Sequence, residues 1–105
     1  MKNEELGLIR QLVGFANNYG YDYDLRVEVV EETTNHVKIR TINDEDETDV
    51  TALVRVLGSF KYLDDGKERE RTLLGVKYDD PTTASPPERV VEASGISLFG
   101  ALYLV

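Results

Sequence analysis

The stretch YDYDLRVEV, residues 21–29, decides the architecture. Tyr21, Tyr23, Leu25, Val27 and Val29 fall on every second position, with Asp22, Asp24, Arg26 and Glu28 between them. Successive side chains of a strand point to opposite faces, so this spacing predicts a strand with one apolar and one wet face. Val37, Ile39 and Thr41 repeat the rhythm, with Lys38 and Arg40 between, and the polar Glu31–His36 stretch joins the two as a hairpin. With Val29 facing Val37, Glu28 would lie opposite Lys38 as a small cross-strand ion pair.

Two more strands follow. Ala52, Val54, Val56, Phe60 and Tyr62 keep even phase through Gly58, a position that suits a bulge or close packing. Asp65-Gly66 is a turn signal. Thr72, Leu74, Val76 and Tyr78 then form an inner face, with Arg69, Arg71 and Lys77 outside. Four consecutive strands joined by short loops imply an antiparallel meander.

Flanking segments supply the cover that a one-sided sheet needs. Upstream, Leu6, Ile9, Leu12, Val13 and Ala16 form a helical stripe within residues 4–18, with Leu8 and Phe15 at its flanks. Asn3 is the expected N-cap, Glu4 and Glu5 suit the positive helix end, and Gly20 is the expected stop. Downstream, Ser85-Pro86-Pro87-Glu88 has the spacing of a capping box, which predicts a short helix from Pro86 to near Gly95. An apolar terminal segment, Ile96–Val105, follows as strand or helix. It is too short to span a membrane and must pack on this core or on another subunit. The expected fold is thus α+β in a single domain, 1–105: an N-terminal helix, a four-stranded antiparallel meander, a C-terminal helix and an apolar terminus, in a two-layer sandwich.

Composition narrows the chemistry. The chain has 105 residues, 20 Asp and Glu, 12 Lys and Arg, and no Cys, for a formal charge of −8. Absence of Cys removes disulfides, thiolate metal sites and cysteine nucleophiles. The acidic balance opposes nonspecific binding to nucleic acid or anionic lipid, so no direct nucleic-acid or membrane partner is expected. No basic and apolar leader opens the chain, and the expected location is cytoplasmic.

Charge is uneven. Residues 21–49 hold three bases against ten acids, a net −7, whereas residues 50–78 hold six bases against four acids, a net +2. Asp44, Glu45, Asp46, Glu47 and Asp49 are the candidate partner-binding residues. A solvated loop that keeps the protein soluble is the more ordinary explanation of them. As a cation loop they lack the sixth-position glycine of an EF-hand, and Arg55 stands where the closing Glu belongs. His36, the only histidine, falls in a hairpin turn with no nucleophile near it in sequence. Ser85 reads as a helix cap, and Gly58, Gly66 and Gly75 are too dispersed for a phosphate loop. Among the six tyrosines, Tyr21 and Tyr23 are assigned to the core, and Asp22 and Asp24 beside them disfavour base stacking. No catalytic residue, cofactor or metal is expected.

Tyr23–Val29, Ala52–Tyr62 with its Val56, Gly58 and Phe60 rhythm, and Pro87–Leu102 together resemble the SecB-type export chaperones and their smaller SecB-like relatives. The resemblance covers about half the chain and rests on generic strand patterns. It implies a four-stranded antiparallel sheet, an acidic segment, an apolar helix and noncovalent binding of unfolded polypeptide by an oligomer. Lys67–Asp80 departs from that pattern, as does the end at Val105 before a long helical tail, so no groove residue transfers. The expected function is accordingly a non-enzymatic, chaperone-like protein-binding module, self-associating as a homo-oligomer. The alternative is an acidic inhibitor or nucleic-acid mimic, of the kind made by phages, occupying a partner's basic groove.

Overall fold

The computed structural model describes residues 2–79, 87–94 and 98. Over these residues it is α+β: one helix, α1 (Asn3–Gly20), a 3-10 turn at Tyr21–Tyr23, and five strands, β1 (Leu25–Glu32), β2 (Val37–Asn43), β3 (Thr48–Asp64), β4 (Lys67–Tyr78) and β5 (Glu88–Glu92). The strands form one sheet in the order β1-β2-β3-β4-β5, every neighbouring pair antiparallel.

Helix α1 forms where the stripe places it. Ile9, Leu12 and Ala16 are buried, and Leu6, Leu8 and Val13 pack beside them. Lys2, not Asn3, is the N-cap; Glu5 reaches back so that its Oε1 accepts from the Lys2 backbone N–H at 3.0 Å. Gly20 ends the helix but stays right-handed, with φ −76. The left-handed reversal falls instead at Asp24, φ 57, after the 3-10 turn. This turn removes Tyr21 and Tyr23 from the strand, so the expected core tyrosines are 83% and 59% exposed. Their alternation with Asp22 and Asp24 has no common face behind it, because in a 3-10 turn of three residues side chains two apart point in different directions.

From Leu25 onward alternation holds. Leu25, Val27, Val37, Ile39, Thr41, Ala52, Val54, Leu74 and Val76 are buried on the face that meets α1, and Leu98 joins the same core. The first hairpin pairs Val29 with Ile39 and Glu28 with Arg40, two positions from the expected register. The difference comes from the turn: the hairpin closes with Glu32 opposite Val37, three positions beyond the expected register, and the bulge between Val29 and Glu31 takes one of those positions back. Asn17 on α1 secures the outer edge of β1: its Oδ1 accepts from Val27 N–H at 2.7 Å, and its Nδ2 donates to Val27 O at 3.0 Å. One side-chain amide thus stands in for a neighbouring strand.

Two further expectations are corrected. Glu88–Glu92 is a fifth strand, not a helix, with Val76 opposite Arg89 and Leu74 opposite Val91. Ladder hydrogen bonds along β4, with Val91 packed on the core, outweigh the local capping signal. Ser85, Pro86 and the terminal segment 96–105 lie outside the described residues, Leu98 excepted. The second correction concerns Phe60 and Tyr62. β3 is bulged between Val56 and Gly58, so Leu57 is an extra residue and the even phase is broken. Val56 pairs with Leu74 on the core side, but Phe60 pairs with Arg71 and Tyr62 with Arg69 on the opposite side. One inserted residue exchanges the faces of everything beyond it.

Candidate functional site

The second half of the β3–β4 hairpin leaves the body of the sheet. β3 has 17 residues, and β2 pairs with it only from Thr48 to Val54. β5 reaches along β4 only from Lys77 back to Leu73. Leu57–Asp64 and Lys67–Thr72 therefore form a two-stranded arm, about 26 Å long at 3.3 Å per residue. A type I′ turn closes it, Asp65 and Gly66 both having positive φ (52 and 74).

Local contacts hold the arm in shape. Ser59 Oγ lies 2.7 Å from Thr72 Oγ1, and Lys61 Nζ lies 3.3 Å from Glu68. Arg69 Nε is 2.9 Å from Asp64 Oδ2. The Arg71 guanidinium sits 4.7 Å from the centroid of the Tyr62 ring, which packs against Phe60 at 6.3 Å between centroids. What these contacts do not do is cover apolar surface. Leu57, Phe60 and Leu63 are exposed, Leu63 at 76%.

The body of the sheet has a second face, opposite α1. By register it carries Lys38, Leu53, Lys77 and Glu88 on one row, and Arg55, Gly75 and Val90 on the next. A shallow depression of about 420 Å³ there is lined by Asn35, His36, Leu53, Arg55, Lys77 and Glu88. Its central feature is an ion pair spanning three strands. Glu88 on β5 crosses β4 above Gly75 and accepts from Arg55 on β3 through both oxygens, at 2.7 and 2.8 Å. A Cβ at position 75 would come within 2.6 Å of the Glu88 carboxyl carbon, so Glu88 takes this path over a residue that has no side chain. Hydrogen bonding from Arg55 holds the Glu88 carboxyl below its ordinary value. His36 enters this rim from the β1–β2 turn, where its backbone is bound by Thr33.

The five predicted partner-binding acids stand at the other end of β3. Asn43 Oδ1 accepts from Glu45 N–H and Asp46 N–H, each at 3.1 Å, and Asn43 Nδ2 donates to Asp46. Asp44 accepts from Arg26 Nε at 3.0 Å, and Arg26 also pairs with Glu28. Asp49, already in β3, lies 4.0 Å from Arg40. The structure thus brings Asp44–Glu47 into one turn but folds two of its carboxylates back onto the protein. Among the described residues no three acidic or histidine side chains converge as a metal-binding set, and no helix is long and apolar enough to cross a membrane.

Sequence reading missed the arm by carrying the even phase through Gly58. A signal was present: Lys67–Arg71 contains no apolar residue, so that half of β4 had nothing to bury. Comparison with family models, with curated proteins and with solved structures finds no match for this chain.

Proposed function

We propose that the protein is a polypeptide-binding module, chaperone-like in acting by noncovalent contact and assigned no catalytic residue. The arm is its contact element. The observation that carries this reading is the arm's unburied Leu57, Phe60 and Leu63, presented on a ribbon whose outer edges have no neighbouring strand among the described residues. Exposed apolar side chains supply contact energy, and open strand edges supply main-chain hydrogen bonds to an extended segment of any sequence. The family resemblance noted above points the same way.

The test is fluorescence anisotropy with a labelled, carboxymethylated polypeptide that cannot fold. Saturable binding is expected. The double variant Phe60→Ser with Leu63→Ser should weaken it by at least about tenfold, since burying each side chain is worth roughly 1.5–3 kcal/mol. An absence of binding, or equal binding by the folded double variant, overturns the reading. The acidic turn as a mimic occupying a basic groove has weaker support, because Asp44 and Asp46 already face Arg26 and Asn43. Asp44→Asn, Asp46→Asn and Glu47→Gln together should leave polypeptide binding unchanged.

A further inference from the structure

We infer that the arm pairs with the arm of a second copy of this chain, β3 against β3, antiparallel about a two-fold axis at Phe60. The inference rests on the arm being the contact element and names one partner for it. Three observations converge.

The first is backbone direction. Ala93 N–H donates to Thr72 O from the β5 side of β4, at 2.8 Å. Thr72 therefore turns its peptide groups away from β3, and so does its partner Ser59 from β4. Alternation then points the N–H and C=O groups of Ser59, Lys61 and Leu63 at the open edge. A two-fold at Phe60 sets Ser59 opposite Lys61 of the other copy, so outward-facing groups meet outward-facing groups.

The second is side-chain pattern. Residues 57–63 read Leu-Gly-Ser-Phe-Lys-Tyr-Leu. About the same axis, Leu57 meets Leu63 of the second copy and Phe60 meets Phe60. Gly58 lies opposite Tyr62, leaving room for its ring. The exposed apolar residues Leu57, Phe60 and Leu63 thus find apolar partners in a single register.

The third is charge. The whole chain carries −8, yet residues 57–73 hold Lys61, Lys67, Arg69 and Arg71 against Asp64, Asp65, Glu68 and Glu70, for a net of zero. Lys61 and Asp64 are matched within their own arm. The arm is therefore a neutral region through which two acidic copies approach without repulsion. An isologous contact of this kind closes on itself as a dimer.

Sedimentation equilibrium of the full chain should give the mass of two copies, and the dimer should tighten with added salt as repulsion between the −8 bodies is screened. Lys61→Pro removes an N–H that faces the open edge and none from the β3–β4 ladder, so it should yield a folded monomer. Because the chain has no Cys, Phe60→Cys adds a single thiol. Cα atoms of a directly opposed, non-hydrogen-bonded pair lie about 4.5 Å apart, within disulfide range. Phe60→Cys should oxidise to a covalent dimer under conditions that leave Tyr62→Cys monomeric. A monomer at all concentrations, or equal cross-linking at both positions, overturns the pairing. So does dimerisation that survives Lys61→Pro. A monomer that still binds unfolded polypeptide would end this inference while leaving the proposed function standing; a dimer that binds none would do the reverse.

Discussion

β3 and β4 run as one ribbon through two environments. Between Ala52 and Val56 the ribbon belongs to the body of the sheet, flanked first by β2 and then by β5 along β4, with Ala52, Val54, Leu74 and Val76 buried in the same core as Ile9, Leu12 and Ala16 of α1. Beyond Gly58 the same two strands stay paired but lose both neighbouring strands, and Leu57, Phe60 and Leu63 are exposed. Backbone pairing is therefore not what separates body from arm. Cover is, and the bulge at Leu57 marks the change by exchanging the faces of the ribbon. A two-stranded ribbon is marginal by itself in water, so its persistence here depends on anchoring in the body, the Asp65-Gly66 turn and the cross-strand contacts along it.

The contrast breaks most directly under large-to-small substitution. Ile39→Ala, at a fully buried position, should cost about 2–5 kcal/mol by removing core contacts and leaving a cavity. Leu63→Ala, at 76% exposure, should stay within about 0.5 kcal/mol when measured on the monomer. Urea unfolding followed by circular dichroism checks both. A cost for Leu63→Ala near that of Ile39→Ala would mean that the arm is covered within its own chain.

Next in size is the edge of the body. Asn17→Ala withdraws both partners of the Val27 peptide groups at a half-buried site. A cost of about 1–3 kcal/mol is expected for groups left unsatisfied. Amide hydrogen exchange should show faster exchange at Val27 N–H, with arm amides unaffected. Among the described residues the arm's edges have no such plug, which is what distinguishes a closed edge from one able to accept another strand.

How much of this was legible follows from the same contrast. Period-two alternation at Leu25–Val29, Val37–Thr41 and Leu74–Tyr78 located strands that are half buried, because burial itself imposes that pattern. The stripe Leu6–Ala16 located α1 for the same reason. Reading failed where burial stops acting: at Tyr21 and Tyr23, whose rings are exposed, and at Phe60 and Tyr62, where one extra residue inverted the faces. It failed again at Glu88–Glu92, where a local capping signal at Ser85-Pro86 competed with ladder bonds that only the folded β4 supplies. Of the candidate site, the acidic turn was visible as composition. The Arg55–Glu88 pair was not, since nothing local links residues 33 positions apart.

That pair provides the finest test of the comparison, because it ties β5 to the body just short of the arm. The Glu88 carboxyl titrates below its ordinary value of 4.5 in the folded protein, chiefly through hydrogen bonding from Arg55. A folded-state pKa below the unfolded one stabilises above the unfolded value, and the contribution is lost as pH falls through the lower, folded value. Glu88→Gln should therefore be less stable than wild type at neutral pH by a small amount, as for any exposed pair, and the difference should vanish in acid. Gly75→Ala should reproduce that loss without touching either charge, since the new Cβ occupies the path of the Glu88 side chain. In the double variant the two effects should not add. If Gly75→Ala retains the full acid-dependent difference from Glu88→Gln, the carboxylate reaches Arg55 by another route, and the glycine serves only the strand. If both lose it while arm exchange rates stay fixed, body and arm are held by separate contacts along one continuous ribbon.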